Sequence, residues 1–386
     1  MAGLDGLRAL AALSVLCLHA WLYSRADPSH PSRGGFFDHA MFELRLGLVF
    51  FFVLSGYLLY RGFVAAALGQ GARVEVGRYA RRRLARIVPA YYIAIVGAFV
   101  LLWGARGQAG VRLPDAGSLP LFLVFGQNYS HATLLRLNPV TWTLCVEAAF
   151  YLLLPLIGIA AYRIGRSRLR AQAAFLWSFV ALGLGWNAAV HGGGWGEIAV
   201  KALPGYMPYF AFGMLVALWA ERRRSRGVAA PAFGAAASAA LVLGGFALAL
   251  LDAAWHAGAD SPARDAALSI LADIPAGVGF ALVVAAAVGG GGPAVRWMRA
   301  RPLAWVGLVS YGVYLWHVPL LLFARRIGVM PDSFLPTFLL ALPVVLAVAA
   351  ASWYGLERPL IARAARTRAR RQERRRQARL EAHAAP

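Results

Sequence analysis

Ten runs of roughly 20 residues, each apolar enough to fill the hydrocarbon layer of a bilayer, dominate this chain and restrict it to a membrane-spanning fold. They are predicted at 4–24, 44–61, 87–104, 140–161, 172–190, 203–220, 231–251, 266–289, 304–324 and 334–356. None shows the strict alternation of a membrane barrel, so all are read as helices. With 60% hydrophobic and 15% charged residues, the composition departs from that of an ordinary soluble domain. The expected fold is all-α: a polytopic membrane protein of about ten transmembrane helices around a central tunnel.

A net charge of +22 would suggest nucleic acid as the partner of a soluble protein, but here the basic residues are sorted by side. Arg8 and the segments 61–86, 163–170, 221–226, 290–302 and 358–386 carry 29 of the 39 Lys and Arg residues, all on one side of a ten-span arrangement. By the positive-inside rule that side is cytoplasmic, both termini lie there, and the chain is expected in the inner (plasma) membrane without a nucleic-acid partner. The first span carries no separate charged region before it, so it is read as a retained helix rather than a signal peptide.

No second folded domain is visible. Residues 1–359 read as one membrane domain and 360–386 as a basic cytoplasmic tail, either a helix lying on anionic lipid or an unfolded segment. The outer segment 118–126 is apolar but too short to span, so an interfacial or re-entrant piece is expected. Cys17 and Cys145 fall inside spans and show no metal spacing; no metal is expected. The glycine runs at 191–195 and 289–293 lack the lysine and hydroxyl residue of a phosphate loop and read as connections.

Ionisable residues inside spans are expensive, and by default they mark function. Arg8 and His19 share the first span; eleven residues make about three helical turns and roughly 16 Å of rise, which puts both on one face, Arg8 near a surface and His19 near mid-membrane. His19 suits a general base, because imidazole titrates near neutral pH and an apolar helix favours its neutral form. Glu147 lies inside the fourth span and needs a partner; His19 is the first candidate and an acceptor hydroxyl the second. His317 in the ninth span is either a second polar wall that orients the acceptor or an interhelical hydrogen bond. Ser55 and Tyr57 flank Gly56, whose simplest role is close helix approach. Arg83 and Arg86 sit in a basic run that topology alone would explain. Glu357, beside Arg358 at the end of the last span, reads as a structural ion pair.

These residues sit in LDGLRALAALSVLCLHA at the start, FFVLSGYLL at 51–59, RRLARIVPAYY at 82–92, WTLCVEAAFYLLLP at 142–155, SYGVYLWHVPL at 310–320 and GLERP at 355–359. In that order they resemble acyltransferase family 3, the integral-membrane O-acyltransferases of bacterial glycans and secondary metabolites. The resemblance implies transfer of an acyl group, acetyl in the first instance, from cytoplasmic acyl-CoA to a hydroxyl of a cell-envelope carbohydrate or a glycosylated small molecule. It implies catalytic roles for His19, Glu147 and Arg8, and donor binding by Arg83 and Arg86. Beside it, the functional reading of Ser55 and Tyr57 is a lining of the pantetheine path, and that of Trp142 and His317 is contact with the acceptor. Acyl-CoA would be a donor substrate, with no bound cofactor. Ala148 follows Glu147 where many relatives carry a second acidic residue, so one carboxylate is expected to suffice.

Two other classes are open on residues alone, a carrier and a membrane anchor or assembly partner without activity, the latter leaving the polar motifs unexplained. A proton-coupled transporter or lipid-linked glycan flippase would also bury His, Arg and Glu, but such carriers often repeat their motifs in the second half, and these do not recur. Within the enzyme reading, a covalent acyl intermediate on Cys145 or Ser55 is the alternative to direct transfer.

Overall fold

The computed structural model describes residues 2–25, 35–70, 74–108, 110–165, 168–228, 231–257 and 261–363. The helices are α1 (Ala2–Tyr23), α2 (Phe36–Glu43), α3 (Leu46–Ala67), α4 (Val76–Leu102), α5 (Pro120–Leu123), α6 (Trp142–Ile164), α7 (Leu169–Gly193), α8 (Gly196–Val200), α9 (Leu203–Ser225), α10 (Ala235–His256), α11 (Pro262–Leu271), α12 (Ile274–Gly289), α13 (Pro293–Arg296), α14 (Arg301–Arg326) and α15 (Phe334–Ser352). Ten helical segments are long and apolar enough to cross a membrane, one for each expected span, and no strand occurs among the described residues. The protein is a multi-pass membrane protein.

Helix ends differ from the apolar runs where charge extends a helix beyond the hydrocarbon. α4 begins at Val76 rather than near residue 87, so its arginine-bearing turns belong to the same helix as the span. The short segment 118–126 forms only the four-residue α5, with Phe122 buried beneath it. The first glycine run continues α7 to Gly193 instead of acting as a connection throughout. Residues 364–386 of the expected tail lie outside the described residues.

Small residues set the closest helix crossings, as expected where lipid supplies no hydrophobic drive between helices. α1 packs along α14, and α3 along α9. A Cβ on Gly307 of α14 would stand 1.8 Å from the Asp5 carbonyl oxygen of α1, and one on Gly56 of α3 would stand 2.1 Å from the Phe210 carbonyl oxygen of α9. Both obstacles are backbone, so neither can rotate away. Gly56→Val and Gly307→Val are each expected to destabilise the fold by about 1–3 kcal/mol or more, the usual cost of overpacking, and to lower the thermal midpoint of the purified protein in detergent.

Alternating passage places the start of α1, the ends of α3, α6, α9, α12 and α15, and the starts of α4, α7, α10 and α14 on one side, called the first side here. A reporter fused after Arg226 is expected to be cytoplasmic and one inserted near Gly110 external; an external reporter at Arg226 would reverse the orientation drawn from charge.

Candidate functional site

A cavity of about 210 Å³ opens between α1, α3, α4, α6 and α14. Three helices deliver its charged groups, Arg8 from α1, Arg83 and Arg86 from one face of α4, and Glu147 from α6, and α3 contributes the Ser55 hydroxyl. Positions three and four apart on a helix share a face, which is why Arg83 and Arg86 point together and why Tyr151 stands beside Glu147.

The carboxylate has two hydroxyl donors. Ser55 Oγ donates to Glu147 Oε1 at 2.9 Å, and the Tyr151 hydroxyl donates to Oε2 at 2.5 Å. His19, the partner expected first, is elsewhere. The His19 ring is taken up by His317 of α14, Nδ1 to Nε2 at 3.2 Å, and lies outside the cavity lining that Glu147 joins.

No carboxylate oxygen comes within 4.0 Å of the guanidinium nitrogens of Arg8, Arg83 or Arg86 among the described residues, and the buried Nε of Arg83 has no hydrogen-bond partner. By contrast, Arg61 on α3 is neutralised by Glu221 on α9 at 3.0 Å. Three guanidiniums with no carboxylate in ion-pair contact, Glu147, Asp5 and Glu357 standing farther off, give the cavity groups that can receive an anion, and guanidinium forks match the geometry of phosphate oxygens.

The cavity ends at Thr143 and Tyr314, whose hydroxyl oxygens are 2.5 Å apart; the Tyr314 oxygen also lies 2.5 Å from the Val140 carbonyl oxygen, to which it donates. Behind Tyr314 lies His317, ring centroids 5.8 Å apart, and behind His317 lies His19, at 4.9 Å. Tyr314 thus lines the cavity while neither histidine does, and the ring series Tyr314, His317, His19 leads away from it.

The histidine pair fixes its own tautomers. His317 Nδ1 faces the Val313 carbonyl at 3.0 Å and can only donate to it, which leaves Nε2 as an acceptor. That Nε2 stands 3.2 Å from His19 Nδ1, which also donates to the Val15 carbonyl at 2.8 Å. The proton of His19 is thereby held on Nδ1. Its Nε2 keeps a lone pair, the state a general base requires.

Other sequence candidates fall outside the cavity lining. Tyr57 is buried in the helix core with its ring facing Arg61 at 5.5 Å, so it does not line a donor path. Trp142 holds the ammonium of Lys201, the chain's one lysine, 4.5 Å from its ring centroid. Cys145 is buried against the Thr141 carbonyl oxygen. Glu357 accepts from Ser352 Oγ at 3.1 Å instead of pairing with Arg358. Sequence reasoning missed Tyr151, Tyr311 and Tyr314; the spacing of Tyr151 from Glu147, and of Tyr311, Tyr314 and His317 along one helix, was the available signal.

Fold and site together define a multi-pass helical membrane protein with an arginine-rich, glutamate-bearing cavity backed by a histidine pair. The chain belongs to the family described as Acyltransferase domain, whose model matches residues 1–355. Among its relatives, O-acetyltransferase OatA of Staphylococcus aureus is 24% identical over 378 residues, covering 93% of this chain and 57% of the relative. A Bacillus subtilis protein assigned by name as a peptidoglycan O-acetyltransferase, YrhL, is 26% identical over 377 residues, covering 93% and 54%. One from Komagataeibacter xylinus, assigned by name as the membrane-bound transacylase BcsY, is 27% identical over 326 residues, covering 82% and 72%. The chain thus spans little more than half the length of the first two. No solved structure matches it.

Proposed function

We propose that this protein is an O-acyltransferase of the inner membrane that moves an acetyl group from cytoplasmic acetyl-CoA to a hydroxyl of a cell-envelope carbohydrate, with His19 as general base. The observation that carries the reading is the cavity holding Arg8, Arg83 and Arg86 without carboxylate partners, on the side that the basic residues mark as cytoplasmic. An anionic donor neutralises them, and the nucleotide phosphates of CoA suit three guanidinium forks.

On this reading the thioester end of the donor passes Tyr314 to reach His19. His19 Nε2 takes the proton of the acceptor hydroxyl, the oxygen attacks the thioester carbonyl, and the tetrahedral oxyanion collapses with loss of the CoA thiolate. The thiolate recovers the proton from the imidazolium, so the ester and free CoA are the products. Ser55 and Tyr151 fix the Glu147 carboxylate, whose charge holds the arginines in place for the donor.

A second reading rests on one contact. Ser55 Oγ donates to Glu147 Oε1, an arrangement in which a carboxylate could activate a hydroxyl for covalent acylation. Direct transfer predicts that Ser55→Ala keeps most of the turnover; a covalent route through Ser55 predicts its loss and labelled Ser55 in wild-type protein. The overall proposal is tested by mixing purified protein, acetyl-CoA and cell-envelope carbohydrate and measuring free CoA thiol. Release that depends on the carbohydrate supports it, and no release beyond the protein-free rate refutes it.

A further inference from the structure

On the second side of the bundle, far along the helices from the arginine cavity, the structure gathers three groups that the reaction above does not use. Asp252 and His256 are four residues apart on one face at the end of α10, and Asp273 precedes the first turn of α12. One ligand-type atom from each lies within 4.8 Å of the other two. Asp252 is 1% exposed, and neither of its carboxylate oxygens has a hydrogen-bond partner. A buried carboxylate with no donor to either oxygen is costly unless a cation or a proton meets it.

The imidazole is set as a ligand. His256 Nδ1 lies 2.8 Å from the Asp252 carbonyl oxygen and must donate to it, so Nε2 carries a lone pair; it stands 3.7 Å from Asp273 Oδ1. A ring proton held on a backbone carbonyl while the other nitrogen faces the metal is the usual support of a metal-bound histidine. Arg45 bonds both oxygens of Asp273, at 2.7 and 2.8 Å, and pairs with Glu43 at 3.0 Å, whereas no ion pair among the described residues reaches Asp252.

We propose that Asp252, His256 and Asp273 bind one divalent transition-metal ion of the zinc class, which fastens the end of α10 to the start of α12. One imidazole and two carboxylates make a mixed N/O set that suits zinc, with solvent as fourth ligand. Zinc ligands at about 2.0–2.2 Å stand roughly 3.4 Å apart in a tetrahedron, so the three side chains close by about an ångström on binding. Asp273 keeps Arg45 through its remaining lone pairs. The site is independent of the acyl-transfer reading.

The test uses the full chain, purified in detergent, stripped with a chelator, incubated with zinc and desalted. About one zinc ion per chain is expected by elemental analysis, with a raised thermal midpoint. Asp252→Asn and His256→Gln are each expected to weaken zinc binding by about 100-fold or more, whereas His131→Gln with His191→Gln, away from the cluster, leaves it unchanged. Should either cluster variant fail to fold, cobalt added to wild-type protein decides: visible bands of a low-coordinate imidazole–carboxylate site, abolished by zinc, support the proposal. No zinc above the level of the protein-free control, or zinc kept by folded Asp252→Asn and His256→Gln variants, overturns it.

Discussion

His19→Ala is expected to insert and fold normally, keep most of its affinity for acetyl-CoA, and lose turnover by about 10²–10⁴-fold, the usual contribution of a positioned acid–base group. The loss falls on the chemical step because His19 stands outside the cavity that the proposal assigns to the donor's phosphates. The wild-type rate should rise with pH as the imidazole gives up its proton, and this limb should vanish in the variant. Glu147→Gln should leave the limb in place, since that carboxylate bonds Ser55 and Tyr151 and not His19. Steady-state acetyl transfer against pH, normalised to folded protein, checks all three statements. A limb that persists in His19→Ala would assign the base to another group.

Replacing Arg83 and Arg86 together by Gln should act on the other half of the reaction. Charge-assisted hydrogen bonds contribute about 1.5–3 kcal/mol each. Losing two therefore weakens acetyl-CoA binding by on the order of 10²–10⁴-fold. The defect should shrink for a truncated thioester that lacks the nucleotide, because the lost contacts are remote from the carbonyl. Binding measured by titration calorimetry with acetyl-CoA and with acetyl-pantetheine separates the two cases. Equal losses for both donors would reduce Arg83 and Arg86 to topological markers.

How much of this was legible in the sequence follows from what a pattern can encode. Apolar runs report the thickness of the hydrocarbon, so all ten spans were found, but α4 was cut short at residue 87 because its first turns are basic and stand outside that layer. Arg8, Ser55, Arg83, Arg86 and Glu147 were singled out for being polar in or beside apolar helices, and the fold brings all five to one cavity. Which of them touch was not legible. The pairing of His19 with His317 joins residues 298 positions apart, and it depends on the depth of each along its own helix and on the crossing of α1 with α14 at Gly307. Tyr57 looked equivalent to Ser55 because they are neighbours in one motif, yet two residues on a helix face nearly opposite ways, and the tyrosine turns into the core. The cluster of Asp252, His256 and Asp273 escaped notice because its third member comes from another helix.

The central claim is that donor and base meet across Tyr314 to make an ester, and transfer across sealed vesicles tests it most directly. Right-side-out vesicles containing the protein are loaded with acetyl-CoA carrying a labelled acetyl group, and cell-envelope carbohydrate is supplied outside. The account predicts alkali-labile label on the external carbohydrate with wild-type protein and a fall of about 10²–10⁴-fold with folded His19→Ala. Wild-type vesicles that leave the carbohydrate unlabelled, or His19→Ala vesicles that label it at the wild-type rate, would contradict it.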